Sequence, residues 1–196
     1  MRKIPELATY FRKKGLIETW KRGRSRYLGV RTFILYKRDL FDGFKGTTLD
    51  GNFSCVRGNL NLLTELREKR KDLPREFYID QTHGGDMFYL VYCKNEVAYI
   101  HWIFKRGQYS RFFNIKNDKT VELNYNITLP QFRGHRLQTR SVNFICEDLK
   151  EQGYTSALGA IAAGNILAQK GMAGTGFKEI GKVKSYFSYV KKMKVV

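Results

Sequence analysis

The stretch Val121-Glu-Leu-Asn-Tyr-Asn-Ile-Thr-Leu-Pro-Gln-Phe-Arg-Gly-His-Arg-Leu-Gln138 contains a strand, a turn and the start of a helix. Apolar residues alternate with polar residues from Val121 to Leu129, which predicts a half-buried β-strand. Pro130 ends this strand, because proline has no backbone N–H to donate. The side chains on its predicted polar face are Glu122, Asn124, Asn126 and Thr128.

A helix is predicted from about Arg136 onward, with Gly153 as its C-terminal cap. Its apolar stripe consists of Val142, Ile145, Cys146 and Leu149. The turn before the helix leaves backbone N–H groups unpaired at the positive end of the helix dipole, which favours an anion such as a pyrophosphate. Gly134 lets the backbone approach such a ligand, and three side chains add positive charge: Arg133, His135 and Arg136. Basic turns of this kind are common, so the pattern alone does not establish a phosphate site.

Further elements are predicted on both sides of this unit. Strands are expected over 27–36, 53–57, 87–93, 97–104, near 109–114, 155–161 and 177–193, and helices around 62–66 and over 165–172. This order predicts an α/β sheet with helices on both faces. The loop 42–52, rich in Gly and Asp, divides the chain into a basic N-terminal helix and strand extension, residues 1–51, and a domain, residues 52–196.

The composition excludes several classes of protein. With 42% hydrophobic residues in 196, the chain can build a core, which excludes a disordered protein. The three cysteines lie far apart, so neither a disulfide framework nor a metal site is expected, and this usage is typical of a reducing cytoplasm. The sequence has no apolar run of membrane-spanning length and no apolar leader, so a cytoplasmic protein is expected.

Positive charge dominates the chain, since 36 Lys and Arg against 18 Asp and Glu give a net charge of +18. Residues 1–31 hold ten basic residues against two acids, together with apolar residues at helical spacing. This pattern predicts a basic amphipathic helix that either docks on the domain or lies on an anionic membrane surface. The charge favours an anionic partner without choosing between nucleic acid, acidic lipid and phosphorylated small molecules.

From Arg133 to Phe177 the chain resembles the GNAT superfamily of acyl-CoA-dependent N-acyltransferases. The resemblance rests on the turn, the long helix, the following strand, a short helix and a closing Gly-Phe: Pro130, Arg133, Gly134, Gly153, Ile161, Asn165, Ala168, Gly176 and Phe177. The order of the upstream elements is also similar, so the resemblance covers about residues 52–196.

The resemblance implies a mixed, mostly antiparallel twisted sheet with helices on both faces. It also implies a V-shaped split between two parallel central strands, one ending at Leu129 and the other starting at Thr155. Acetyl-CoA or another acyl-CoA would be the co-substrate, without a metal, and would lie in this split. The cofactor-binding residues it implies are Ile127, Thr128, Leu129, Arg133, Gly134, His135, Arg136, Leu137, Gln138, Thr139, Asn165 and Ala168.

The resemblance also implies catalytic residues for deprotonating an amine. Glu122 is the expected general base, with a solvated charge on the strand face as the alternative, and Asn124 and Asn126 are expected to orient the acceptor. His101 is a rival base, although it also suits a packed position in the core. His83 is expected in a loop that could reach the cleft.

Two departures from the family pattern bear on the chemistry. Arg136 and Gln138 replace the small residues of the pyrophosphate turn, so the approach of a ligand is more crowded. Met172 stands where the family often has a tyrosine that protonates the departing thiolate, and methionine cannot donate a proton.

The expected function is therefore transfer of an acyl group, in the first instance acetyl, from acyl-CoA directly to a primary amine. The net charge favours a small anionic or sugar-linked acceptor, and an acidic acyl-carrier protein is compatible as donor. The alternative is a catalytically degenerate module that binds an anionic membrane, or with less support nucleic acid, through residues 1–31. Both a monomer and a homodimer are compatible with the sequence.

Overall fold

The computed structural model describes residues 30–186 and 189–195; the N-terminal helix predicted within residues 1–29 lies outside them. The strands are β1 (Arg31–Asp39), β2 (Phe53–Arg57), β3 (Met87–Cys93), β4 (Glu96–Phe104), β5 (Phe113–Ile115), β6 (Thr120–Thr128), β7 (Ser156–Ala162), β8 (Lys178–Tyr186), β9 (Tyr189–Val190) and β10 (Met193–Val195). The α-helices are α1 (Leu60–Lys69), α2 (Ile79–His83), α3 (Leu137–Glu151) and α4 (Ile166–Ala173), and short 3-10 helices span Arg75–Tyr78 and Pro130–Phe132.

Eight strands form one sheet in the order β2-β3-β4-β6-β7-β1-β8-β9, and β5 pairs with β10 in a small parallel sheet. Within the large sheet β6 and β7 are parallel and the other neighbouring pairs are antiparallel. Apolar residues of α3 and α4 pack on one face of the sheet, called here the α3 face. Residues of α1 and α2 pack on the opposite face, the α1 face. The predicted fold class is confirmed.

The strand β1 lies inside the large sheet. It pairs with β7 along Phe33–Asp39 and with β8 along Arg31–Lys37. Leu35 at its centre is fully buried against β7 and the segment that precedes β5. Residues 31–39 of the predicted N-terminal extension therefore belong to the same eight-stranded sheet as the strands of the predicted domain, β5 and β10 excepted.

The parallel strands β6 and β7 separate part of the way along their length. They pair from Thr120↔Ser156 to Leu123↔Gly159 and form no further pairs, although both strands are described to their ends. Beyond that point β6 continues beside β4 as far as Thr128, and β7 continues beside β1 as far as Ala162. The divergence forms the V-shaped split that the resemblance implies, with its vertex at Leu123 and Gly159.

A β-bulge at Tyr125 interrupts β6 just past this vertex. Tyr125 has a φ of +49°, and the β4 register shifts so that Trp102 pairs with Asn124 but His101 pairs with Asn126. Directly paired residues share a face of a sheet, so Asn124 and Asn126 lie on opposite faces. The prediction of one continuous polar face from Glu122 to Thr128 is wrong, because the bulge exchanges the two faces.

Most other element predictions agree with the structure to within a few residues, because the residues that start and stop the helices act as expected. The Asn59 side chain caps α1 by accepting from the Leu62 N–H at 2.9 Å, and Gly153 follows α3 with a φ of +88°. The strand expected near 109–114 is the shorter β5, and the segment 177–193 contains β8, β9 and the start of β10. No helix among the described residues is long and apolar enough to cross a membrane.

Candidate active site

The turn between β6 and α3 presents open backbone to solvent. Residues 133–136 are exposed, and Gly134 and Arg136 both have positive φ, at +91° and +54°. Arg136 is the N-cap residue of α3 and makes no side-chain capping bond. The first N–H groups of the helix, from Leu137 to Thr139, therefore have no partner within the helix, and this is the arrangement that binds anions at helix N-termini.

The residues of the turn fit a pyrophosphate. A Cβ added at Gly134 would meet no atom within 4 Å, so the backbone there faces open space. The exposed side chains of Arg133, His135 and Arg136 supply positive charge, and the Nε of Arg133 lies 3.5 Å from the Thr128 carbonyl oxygen. The crowding expected from Arg136 and Gln138 stays a prediction, and Arg136 itself adopts a backbone conformation that favours glycine.

The first turn of α3 is held against α4. The Thr139 hydroxyl donates to the Gly171 carbonyl oxygen at 3.0 Å, and a Cβ added at Gly171 would lie 3.5 Å from the Gln138 amide oxygen. Both side chains are half-buried at this contact. Gln138 and Thr139 therefore hold α4 beside the turn, while their backbone N–H groups point out of the helix start.

The end of β6 forms one edge of the split. Ile127 and Thr128 are half-buried and pair only with β4, at Ile100 and Tyr99. The buried Leu129 donates its N–H to the Ala98 carbonyl oxygen at 2.9 Å, so this N–H is already occupied. The side of Ile127 and Thr128 that faces β7 lacks a strand partner, as the pairing of an extended ligand requires.

Asn165 caps the helix on the other side of the split. Its Oδ1 accepts from the Ala168 N–H at 3.2 Å, and its exposed side chain keeps the amide Nδ2 as a donor. Ala168 is half-buried against the core of the α3 face. Met172 is buried beneath the same helix, with its thioether sulfur 3.4 Å from the Thr175 hydroxyl. The residue in this position is therefore part of the core and supplies no proton.

Glu122 is fully buried on the α1 face, next to the vertex of the split. Its neighbours across the strands are Phe104 of β4 and Leu158 of β7, both fully buried. Burial raises the pKa of Glu122 to about 7, although the nearby Ser110 hydroxyl, the hydrogen bond from Asn124 and the positive charge of Lys192 oppose the rise. The expected alternative, a solvated charge, is wrong, because apolar residues of both neighbouring strands exclude water.

The two oxygens of the Glu122 carboxyl differ in their surroundings. Oε1 accepts from the Asn124 Nδ2 at 2.9 Å, while Oε2 is buried without a hydrogen-bond partner. Asn124 is itself fixed, since its Oδ1 accepts from the Tyr125 N–H at 2.8 Å across the bulge. The bulge thus holds Asn124 so that Glu122 keeps one oxygen free to accept a proton.

His101 lies on the opposite face of the sheet from Glu122. It pairs with Tyr89 and Asn126 and packs with Tyr99, whose hydroxyl lies 2.7 Å from its Nδ1. Burial lowers the pKa of His101 to about 3, so it is a weak base. The geometry therefore favours Glu122 over His101 as the base, and it places Asn126 on the side of His101.

Four aromatic side chains form a cluster on the α1 face that includes Phe104, the cross-strand neighbour of Glu122, and only His83 among them is a candidate from the sequence. Phe104, Tyr109, Tyr125 and His83 form one cluster of ring contacts, with the Tyr125 hydroxyl 3.2 Å from the His83 Nε2. Tyr125 reaches this cluster through the bulge. Alternation along β6 gives no signal for it, because the bulge depends on pairing with β4.

The cysteines take no part in this site. All three are free, and Cys55 and Cys146 are buried in the core of the α3 face. Burial raises the pKa of both thiols to about 12, which leaves them protonated and unreactive near neutral pH. Cys55 and Cys146 are therefore poorly suited to act as nucleophiles.

The fold matches those of known acetyltransferases. A GCN5-related N-acetyltransferase from Sphaerobacter thermophilus superposes with a TM-score of 0.57 at 8% identity, covering 91% of this chain and 58% of that one. A GNAT-family acetyltransferase from Colwellia psychrerythraea gives a TM-score of 0.52 at 16% identity, covering 76% and 53%. A third similar structure is the glucosamine N-acetyltransferase region of a fungal multi-domain GH3 β-N-acetylglucosaminidase. Its TM-score is 0.57 at 12% identity, covering 78% of this chain and 20% of that chain.

These comparisons establish the fold. The chain spans less than two thirds of the length of each of these proteins. No protein-family model matches the sequence, and no curated protein matches it. The arrangement of strands and helices is that of the GNAT acetyltransferases, as the sequence resemblance predicts.

Proposed function

We propose that this chain, which has the GNAT fold, transfers an acyl group from acyl-CoA directly to a primary amine. The observation that carries the proposal is the divergence of β6 and β7 beyond Leu123 and Gly159. An open anion-binding turn follows one of these strands, and the buried carboxyl of Glu122 lies at the vertex. A turn that favours anions, an unpaired strand edge and a buried carboxyl thus support the proposal together.

Acyl-CoA supplies the activated acyl group as a thioester. The N–H groups at the start of α3, together with Arg133 and Arg136, suit its pyrophosphate. The unpaired edges at Ile127 and Thr128 suit its extended arm, and the Nδ2 of Asn165 is free to donate to that arm from the other side. Each of these groups belongs to a helix end or strand edge that the fold leaves unsatisfied.

Glu122 prepares the acceptor for attack. An alkylamine is mostly protonated near neutral pH, so it must lose a proton before its nitrogen can attack a carbonyl carbon. The raised pKa of Glu122, about 7, leaves its carboxylate able to take a proton at Oε2. Asn124 holds Oε1 and so orients the free oxygen. The amine reaches Glu122 from the α1 face, and the turn before α3 serves the other side of the split.

The proposal is tested by following release of free thiol from acetyl-CoA by the full chain with a panel of primary amines. We expect amine-dependent release of CoA and an acetylated amine that mass spectrometry identifies. Gly134→Glu should raise the KM for acetyl-CoA strongly, because it places a negative charge where a phosphate must lie. Gly153→Glu is the matched control, since Gly153 has a similar φ of +88° and open space at the other end of α3.

Two results would contradict the proposal. One is the absence of acetyl-CoA binding combined with salt-dependent binding of RNA or of anionic vesicles, which would indicate the non-catalytic binding module instead. The other is an equal loss of thiol release in Gly134→Glu and Gly153→Glu, which would indicate a general effect on folding.

A further inference from the structure

The aromatic cluster on the α1 face is a continuous wall beside Glu122. The His83 ring centroid lies 4.3 Å from that of Tyr109 and 4.8 Å from that of Tyr125. The Tyr125 centroid lies 5.9 Å from that of Phe104 and 6.2 Å from that of Tyr109. The four rings come from α2, β4, β6 and the loop before β5, so elements distant in sequence converge on this one place.

The aromatic wall has one fully buried member and three members that are partly exposed. Phe104 is fully buried and is the direct cross-strand neighbour of Glu122. Tyr109 is 38% exposed, and His83 and Tyr125 are half-buried. The rings of Tyr109, His83 and Tyr125 therefore offer a partly exposed surface to a flat or apolar group on the α1 face.

The carboxyl beneath the wall lacks one hydrogen-bond donor. The Oε2 of Glu122 is buried without a partner, although an unsatisfied buried acceptor costs free energy. An amine N–H supplies the missing donor. Aromatic faces also attract a positively charged nitrogen within about 6 Å of the ring centroid, so the same wall favours an ammonium group.

Two nearby cations limit the charge that the site accepts. Lys192 acts on Glu122, and Arg111 acts on Tyr125, through their positive charges. The Arg111 guanidinium is stacked on the rings of Phe33 and Phe112 and donates to the Ser185 hydroxyl, so it is held in place. With one carboxylate beside two cations the surroundings of Glu122 carry a net positive charge, so every additional positive charge on the acceptor is disfavoured.

We propose that the acceptor is a primary monoamine with an aromatic group close to its nitrogen, bound with the amine at Glu122 and the ring against Tyr109, His83 and Tyr125. This inference rests on the proposed function and names its acceptor class. It differs from the anionic or sugar-linked acceptor that the net charge of +18 favours, because a buried carboxyl and aromatic rings form the site itself.

The test compares three amines as acceptors with the full chain and acetyl-CoA: phenethylamine, glucosamine 6-phosphate and spermidine. We expect kcat/KM for phenethylamine to exceed that for each of the others by about tenfold or more, the scale of one desolvated aromatic contact. Equal or higher kcat/KM for glucosamine 6-phosphate or spermidine would overturn the inference while leaving the proposed acyl transfer intact.

Two variants of Tyr109 distinguish an effect on acceptor binding from an effect on the stability of the fold. Tyr109→Ala should raise the KM for phenethylamine about tenfold and leave the KM for acetyl-CoA unchanged, and Tyr109→Phe should restore the wild-type value. Tyr186→Ala is the control, because Tyr186 is 47% exposed and lies on β8 next to Ser185, facing the other side of the sheet. An equal effect of Tyr186→Ala, or no effect of Tyr109→Ala, would overturn the inference.

A binding measurement keeps the two proposals distinguishable. Phenethylamine is titrated into the full chain without acetyl-CoA, and saturation is followed by the change in intrinsic fluorescence. Saturable binding that Tyr109→Ala weakens supports the acceptor site even where no acyl transfer is found. Absence of saturable binding in the wild-type chain overturns the acceptor class, whatever the outcome with acetyl-CoA.

Discussion

At the scale of single residues, Glu122 is the group on which the chemistry depends. Two buried strand neighbours, Phe104 and Leu158, raise the pKa of its carboxyl to about 7 by excluding water. Asn124 then fixes one of its oxygens. The residue type follows from the sequence, but its burial follows only from the strands that pair on both sides of β6.

We expect kcat to rise with pH through an apparent pKa near 7, because Glu122 acts as a base only when it is ionised. Glu122→Gln should lower kcat by about 100-fold or more and leave the Kd for acetyl-CoA unchanged. The exposed Glu151→Gln is the control and should keep both values. Unchanged turnover in Glu122→Gln would assign the base to another group.

Ionisation of Glu122 should raise kcat as pH rises, but it should lower the stability of the fold. Its pKa is about 7 in the folded chain and 4.5 without burial, so the folded state holds its proton more tightly. The free energy of unfolding should therefore fall as pH rises from about 4.5 to 7 and then become constant with respect to this group. Above pH 7, Glu122→Gln should be more stable than wild type by about 3 kcal/mol in urea unfolding.

A lower stability of Glu122→Gln at pH 8 would contradict this account of the burial. Equal stability of the two proteins at pH 8 would contradict it as well. Measurement of both proteins at pH 4 supplies the internal reference, since wild-type Glu122 is then protonated and resembles glutamine in charge.

Arg136 provides a second residue-scale prediction. Its φ of +54° is strained for a residue with a Cβ, so Arg136→Gly should raise the free energy of unfolding by about 1 kcal/mol. Arg136→Ala loses the same charge without relieving the backbone. Both variants should bind acetyl-CoA more weakly, and to a similar degree. Only Arg136→Gly should be more stable than wild type in thermal unfolding. A gain in both variants would mean that charge repulsion, rather than the backbone, destabilises this turn.

At the scale of elements, the helix ends and the bulge shape the cleft. Asn165 has two functions in this account, since Oδ1 caps α4 and Nδ2 is left to donate to acyl-CoA. The bulge at Tyr125 brings an aromatic ring to the face of Glu122 and moves Asn126 away from it. The Asn165 cap and the bulge at Tyr125 both depend on local departures from regular helix and strand hydrogen bonding.

Variants of Asn165 separate its two functions. Asn165→Ser keeps a capping oxygen but loses the amide donor, so it should keep wild-type stability and bind acetyl-CoA more weakly. Asn165→Ala loses the capping oxygen as well as the amide donor. It should bind acetyl-CoA more weakly, and its free energy of unfolding should be lower by about 1 kcal/mol. Calorimetric titration and urea unfolding measure the two effects. Full acetyl-CoA affinity in Asn165→Ser would show that Asn165 only caps the helix.

The sequence predicts most elements because their signals are local. Alternation over 121–129 and the stripe on α3 reproduce β6 and α3 to within two residues. The sequence does not predict α2, because five residues are too few to show a helical period. It does not predict the bulge at Tyr125 either, because the bulge depends on pairing with β4. The aromatic wall is hidden for the same reason, since its members converge only in the folded chain.

At the scale of the whole molecule, one sheet joins β1, at the start of the described residues, to β8 and β9 near their end. β1 lies between β7 and β8, so the edge of the split formed by β7 is supported by the N-terminal strand. Local sequence pattern identifies the strand but not its neighbours, because such pairing joins residues more than a hundred positions apart.

Leu35→Ala tests whether this strand supports the fold. Leu35 is fully buried at the centre of β1, so the substitution should lower the free energy of unfolding by about 2–5 kcal/mol. Leu60→Ala is the control, because Leu60 is 42% exposed and should change stability by less than about 1 kcal/mol. Equal, small effects of both substitutions in urea unfolding would contradict the central position of β1.

The split between β6 and β7 is tested most directly by calorimetric titration of the full chain with acetyl-CoA, comparing wild type, Gly134→Glu and Gly153→Glu. The account predicts saturable one-to-one binding that Gly134→Glu abolishes and Gly153→Glu preserves. Absence of saturable binding in the wild type, or equal binding by all three proteins, would contradict it.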